Sequence, residues 1–279
     1  MKCSEIIEIL EQLSPKKFAC DWDNVGLMVG SPDAHIKKIL VTLDGDDDAI
    51  DKAIETGSDL IITHHPLIFN QIKNVTTDDL TGRRITKLIK NNIGLYSMHT
   101  NFDVKGGMAQ LAADIIGMKN GEVLENVCEG EGFGRVGTFQ ELLTVRQWAD
   151  KIKDLFGLPN VCVFGNLERT VSRVAISPGS GKDFVQCAIE KGAQLFISGD
   201  INHHSGIDAN AQGLEIIDAG HYGIEHIFIK FIGEYLETKL LLSQYVHGVL
   251  QDIPGVQNDQ DIQNVQIVQM DKKIPFEIV

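Results

Sequence analysis

The stretch from Lys38 to Pro66, KILVTLDGDDDAIDKAIETGSDLIITHHP, decides the fold. It opens with Lys38-Ile39-Leu40-Val41-Thr42-Leu43, a short apolar run closed by Asp44-Gly45, which has the length and β-branched content of a buried strand. Residues 46–56 carry apolar side chains at helical spacing and stop at Gly57, the residue type best suited to the position just past a last helical turn. Leu60-Ile61-Ile62-Thr63 is a second buried run, and the chain leaves it through His64-His65-Pro66. Strand, helix and strand in so short a span predict parallel strands joined by a right-handed crossover.

The pattern continues on both sides. Residues 4–14 read as an amphipathic helix with Ser4 as its cap. Residues 81–92 read as a helix, and a third strand from Ile93 to Met98 empties into His99-Thr100-Asn101-Phe102-Asp103. The same order recurs later. Ser172 to Ser177 is a strand, Gly179-Ser180-Gly181 a turn, residues 182–191 a helix, and Leu195-Phe196-Ile197-Ser198 a strand running into Gly199-Asp200. Ala53–Gly57 lies over Ala188–Gly192, and Leu60 and Ile62 then match Leu195 and Ile197. Gly94-Leu95 and Gly213-Leu214 each open a strand that ends near a histidine followed four residues on by a carboxylate, His99 to Asp103 and His221 to Glu225.

The expected architecture is therefore α/β, with two related domains of mostly parallel or mixed sheets flanked by helices. The domains are placed at 1–127 and 128–279, with residues 126–170 joining the halves and a helix around 221–240 packing back on the first. A ligand site is expected in the cleft between the two domains. In the tail beyond about 250, Gln266-Ile267-Val268 is an expected edge strand.

Composition narrows the function. The formal charge of −14 argues against a nucleic-acid partner, which requires clustered Lys and Arg. No run approaches the roughly 20 apolar residues of a membrane span. The start, MKCSEIIEILEQL, has helical spacing and not the pattern of a signal peptide, so a cytoplasmic location is expected. The five cysteines are scattered, with no Cys-x-x-Cys pair, and read as reduced thiols.

The chemistry-bearing residues sit at strand exits, where ligands bind in open α/β sheets. Neutral imidazole is a favoured ligand for zinc, iron, copper and nickel. Pro66 confines His65 to extended backbone, and successive side chains of extended chain point oppositely, so one ion per ring is expected. His221 and Glu225, spaced i,i+4, share a helical face. A lone His-His or His/Glu pair is more often an incidental surface feature, but three donor groups at three strand exits are not easily three accidents. The set His64, His65, Asp103, His221 and Glu225 is thus the candidate ligand set for two divalent ions, with a carboxylate as bridge. Zinc, iron or manganese all suit these nitrogen and oxygen donors. His99 and His203 are candidate proton-transfer groups, and Asp21-Trp22-Asp23 is a packed turn or a lip over the site. Pro178-Gly179-Ser180-Gly181-Lys182 fails as a phosphate loop, because Ile176 stands where that motif needs glycine and Asp183 where it needs Ser or Thr.

Taken together, WDNVGLMVG, ITHHPLIF, HTNFD and DAGHYGIE resemble the Nif-three-like dinuclear-metal family, also labelled GTP cyclohydrolase type-two homologues. The resemblance covers roughly residues 4–240, in the short form that lacks an inserted domain. It implies a bimetal site, ligands at His64, His65, Asp103, His221 and Glu225, and a ring-shaped homohexamer. The function expected is a metal-dependent hydrolase acting on a small molecule, a nucleotide such as GTP on the strength of the family label. The alternative is a non-catalytic metal-delivery or regulatory protein.

Overall fold

The structure, a computed structural model, describes residues 1–128, 130–251 and 265–275, with residues 243–251 given by their backbone alone. Along the chain run α1 (Cys3–Leu13), β1 (Gly26–Val29), β2 (Lys38–Thr42), α2 (Asp47–Thr56), β3 (Leu60–Thr63), α3 (Leu80–Lys90), β4 (Gly94–Ser97), α4 (Thr100–Val104) and α5 (Met108–Ile116). There follow β5 (Glu122–Cys128), β6 (Glu131–Thr144), α6 (Val145–Phe156), β7 (Cys162–Phe164), β8 (Thr170–Ser180) and α7 (Val185–Glu190). The remainder is β9 (Leu195–Gly199), α8 (His203–Ala211), β10 (Glu215–Asp218), α9 (His221–Glu225), α10 (Ile227–Gln251) and β11 (Gln266–Gln269).

The chain divides into two compact units, Met1–Phe102 with Phe228–Lys272, and Asp103–Ile227 with Lys273–Val279. The sequence reading put a boundary near 127. In the structure β5 pairs with β6 in the second unit's sheet, and residues 228–272 group with the first unit.

The first unit holds a five-stranded sheet in the order β1-β4-β3-β2-β11. Strands β2, β3, β4 and β11 are parallel, and β1 is antiparallel to β4. Every residue of β3 and β4 is buried, as expected of strands covered on both faces, which explains their unbroken apolar runs. Helix α2 begins at Asp46, whose side chain accepts from Ala49 N, and ends at Gly57. Ile50, Ala53, Ile85 and Leu88 from α2 and α3 pack on Leu40, Ile61 and Leu95 from the sheet. Helix α10 buries Phe228, Ile232, Leu236 and Leu240, a stripe at four-residue steps along one face. The expected edge strand is present, with β11 adding parallel to β2 through Gln266↔Lys38 to Gln269↔Val41. Of the rest of the tail, residues 252–264 and 276–279 lie outside the described residues.

The second unit holds a six-stranded mixed sheet, β5-β6-β8-β9-β10-β7. Strands β8, β9 and β10 are parallel neighbours, in the same sequential order as β2, β3 and β4, and β7 flanks β10 antiparallel as β1 flanks β4. The recurrence read from Ala53–Gly57 and Ala188–Gly192 thus corresponds to a shared strand order. Three local readings change. Ser4 lies inside α1, whose cap is Lys2, because Glu5 reaches back to accept from Lys2 N. The segment expected to join the halves, residues 126–170, contains the end of β5, strand β6, helix α6 and β7. The Gly179 turn is a register shift within β8, which continues to Ser180 opposite Gly199.

Trp148 on α6 is fully buried, with the Phe139 ring edge-on at 4.8 Å, among Ile152, Val174 and Ile197. Truncating a buried large aromatic costs about 3–5 kcal/mol. Trp148→Ala is expected to lose that much in chemical denaturation followed by far-ultraviolet circular dichroism.

Candidate metal centre

In the first unit the histidines gather where β3 and β4 end. The backbone amides of His64 and His65 both donate to Leu43 O, at 3.1 and 3.0 Å. That shared acceptor bends the chain, so the rings do not diverge as extended backbone would have them. Their centroids are 5.0 Å apart, and His99 lies 5.2 Å from His64 and 5.7 Å from His65. One ligand nitrogen from each of His64, His65 and His99 falls within 4.8 Å of the others, close enough for a shared cation.

Each ring is oriented through Nδ1. His64 Nδ1 lies 2.9 Å from Met98 O, His65 Nδ1 2.8 Å from Asp44 Oδ1, and His99 Nδ1 2.9 Å from Asp23 Oδ1. A carbonyl or carboxylate oxygen only accepts, so Nδ1 carries the proton and Nε2 the lone pair. That tautomer, fixed by an oxygen behind the ring, is the arrangement that metal-ligating histidines use. His64 is wholly buried and its ring packs against Phe228 at 5.3 Å and Phe102 at 6.2 Å.

The same device recurs in the second unit. His221 opens α9, and its Nδ1 lies 2.8 Å from Asp200 Oδ2 while its Nε2 lies 2.9 Å from Glu225 Oε2. Glu225 is 3% exposed. A Cβ on Gly179 would overlap Glu225 Oε1, and Gly179 has a φ of +77°. The backbone of β8 thus approaches the carboxylate as only glycine allows. Asp103 stands in α4, four residues after His99 and half-buried. His203 is exposed in the first turn of α8, its ring 5.3 Å from that of His204. Imidazole and carboxylate donors with fixed tautomers fit a divalent cation of the zinc, iron or manganese type.

Asp44, Asp200 and Gly179 were not singled out from sequence as parts of the site. Their signal is positional, because a carboxylate just past one strand lies beside a histidine just past the neighbouring strand. Asp23, read as part of a packed turn, proves to hold both His99 and the start of α4. Its side chain is 0% exposed and accepts from Thr100 N at 3.0 Å and Thr100 Oγ1 at 2.6 Å. Burial pushes the Asp23 carboxyl up, but the hydrogen bond from His99, the positive charge of that ring in its protonated form at the acidic pH where carboxyls titrate, and the hydrogen bonds from Thr100 outweigh it and hold it below its ordinary value.

A model of the Duf34/NIF3 (NGG1p interacting factor 3) family matches residues 1–250. The chain belongs to that family. A Clostridium perfringens relative named GTP cyclohydrolase 1 type 2 homolog is 40% identical over 243 residues, covering 86% of this chain and 93% of the relative. A crystal structure of a Bacillus cereus protein related to NIF3 superposes with a TM-score of 0.88 at 25% identity, covering 100% of this chain and 99% of that one. Reduced HcgD from Methanocaldococcus jannaschii matches with a TM-score of 0.76 at 34% identity, over 85% of this chain and 94% of its own. Among the described residues, no helix of this family member is long and apolar enough to cross a membrane.

Gly179→Ala should destabilise more than Gly57→Ala. Both residues have positive φ, but a Cβ at 57 meets nothing within 4 Å, whereas one at 179 meets Glu225. Backbone strain alone costs about 1–2 kcal/mol, and a larger loss at 179 in thermal unfolding measures the collision. Asp23→Asn is the second test. A depressed carboxyl stabilises the fold fully above the ordinary carboxylate pKa and loses that contribution as pH falls through the folded value. The stability gap between wild type and Asp23→Asn in urea should therefore be widest near neutrality and narrow steadily below about pH 4.

Proposed function

We propose that His64, His65, Asp103, His221 and Glu225 together hold two divalent cations, and that the chain is a hydrolase acting on a small molecule. The observation that carries this reading is the set of Nδ1 anchors, because Met98 O, Asp44 and Asp200 each accept from a histidine's Nδ1 and so make Nε2 the atom that would serve as metal donor. The five donors come from both units, and the reading requires all five to meet on one pair of ions. Two bound cations supply the charge that acidifies a water and stabilises a developing oxyanion.

The chain's own residues do the rest. Asp44 and Asp200 stiffen their rings and raise the basicity of the donor nitrogen. Asp103 and Glu225 neutralise cationic charge, and either carboxylate is a candidate bridge. His99, backed by the buried Asp23 carboxylate, is the better placed group to accept and return a proton, since His203 stands exposed on α8. The names carried by the relatives point to a nucleotide as the small molecule. Assembly into a ring of six copies is part of the same reading and is measured by light scattering.

Elemental analysis should find two ions per chain, falling when Asp103 or Glu225 is changed to alanine. Asp44→Ala and Asp200→Ala should weaken metal affinity about 10–100-fold. Metal-loaded protein should turn over a member of a phosphodiester, amide and nucleotide panel, and Asp103→Ala should abolish that turnover. Protein inert across the panel that passes its metal rapidly to an acceptor would make delivery the better reading.

A further inference from the structure

Two aromatic side chains stand in solvent beside the three imidazoles of the first unit. Trp22 is 62% exposed and Phe69 52% exposed. Packed aromatics bury 150–250 Å² each and are among the strongest contributors to a core, so two held outward side by side sacrifice stability. They are also held firmly. Trp22 is followed by Asp23, whose buried carboxylate takes the three hydrogen bonds from His99 and Thr100. Next comes Asn24, whose side-chain amide donates to Ile68 O at 2.6 Å. Ile68 immediately precedes Phe69, so one contact ties the two aromatic-bearing loops together. The Trp22 and Phe69 rings lie 5.9 Å apart with 54° between their planes, and they approach His99 at 6.2 and 6.5 Å.

We propose that Trp22 and Phe69 form a stacking platform for a flat, unsaturated ring carried by the small molecule processed at this site. The inference rests on the proposed function and narrows its substrate to ring-bearing compounds. The geometry sets the size of the occupant. Two side chains offer far less than the roughly 800 Å² per partner that a stable protein interface needs, and with 54° between their planes one can lie flat on a ring system while the other meets its edge. Stacking on aromatics tolerates many bases and heterocycles because each has a π-face. A ring on this pair would have His99 at its edge, so the bond attacked would lie in the ring or next to it.

The full chain contains two tryptophans, and the other, Trp148, is wholly buried. Quenching of the exposed indole therefore reports on Trp22. Metal-loaded protein is titrated with inosine monophosphate, uridine monophosphate, nicotinamide mononucleotide and ribose 5-phosphate, by fluorescence and by calorimetry. At least one of the three ring-bearing probes should quench and bind about tenfold or more tightly than ribose 5-phosphate, the gain expected of one good stack. Phe69→Ala should remove about tenfold of that affinity while Phe69→Tyr keeps it, with bound metal unchanged in both. Equal affinity for ribose 5-phosphate and every ring-bearing probe would overturn the proposal. So would a Phe69→Ala chain that binds the probes normally but changes its assembly mass, which would make the pair a protein contact. Repeating the titration on metal-stripped protein separates the two readings. Absence of metal binding defeats the proposed function, whereas loss of the ring preference defeats the platform.

Discussion

Neighbouring strands in a sheet lie about 4.8 Å apart, and that spacing is what the candidate centre is built on. Asp44 follows β2 and holds His65, which follows the adjacent β3. Asp200 follows β9 and holds His221, which follows the adjacent β10. Asp23 precedes β1, which runs antiparallel to β4, so it lies beside His99 just beyond the end of β4. Three carboxylate–imidazole pairs thus arise from one rule: an acid and a histidine at the same end of adjoining strands are within hydrogen-bonding reach without any long loop to position them.

The rule also explains why the rings are fixed. A histidine on a free loop samples rotamers and tautomers, whereas one braced through Nδ1 presents Nε2 in a single direction. Bracing from the sheet costs little, because the strands are already locked by buried apolar runs such as Leu60–Thr63 and Leu195–Gly199. Burial of His64 is tolerated because its Nδ1 proton is satisfied by Met98 O. Glu225, nearly as buried, has the space it occupies because Gly179 carries no side chain.

Much of this was legible in the sequence. Unbroken apolar runs ending in His64-His65, His99 and His221 reveal both the parallel strands and the residues at their exits, since chemistry and topology coincide there. The strand order shared by the two units was foreshadowed by Ala53–Gly57 and Ala188–Gly192. What stayed hidden depended on contacts distant along the chain. The pairing of Asp44 with His65 and Asp200 with His221 requires knowing which strands adjoin. The bend at His64 and His65 comes from Leu43 O, a backbone atom with no signature of its own. The β5–β6 hairpin went unread because Glu122–Cys128 alternates weakly, with Leu124 its one buried residue.

Strand β11 makes a late segment of the chain, Gln266–Gln269, part of the first unit's framework. Without it, β2 would show a row of unpaired amides and carbonyls beside a wholly apolar core, the kind of border along which foreign strands add and aggregates grow. Gln266 and Gln269 are exposed and the apolar pair Ile267 and Val268 is half-buried, so the new border is short and hydrophilic. Shortening the chain before residue 266 would trade that border for a sticky one, making solubility, more than folding, the property that the last strand protects.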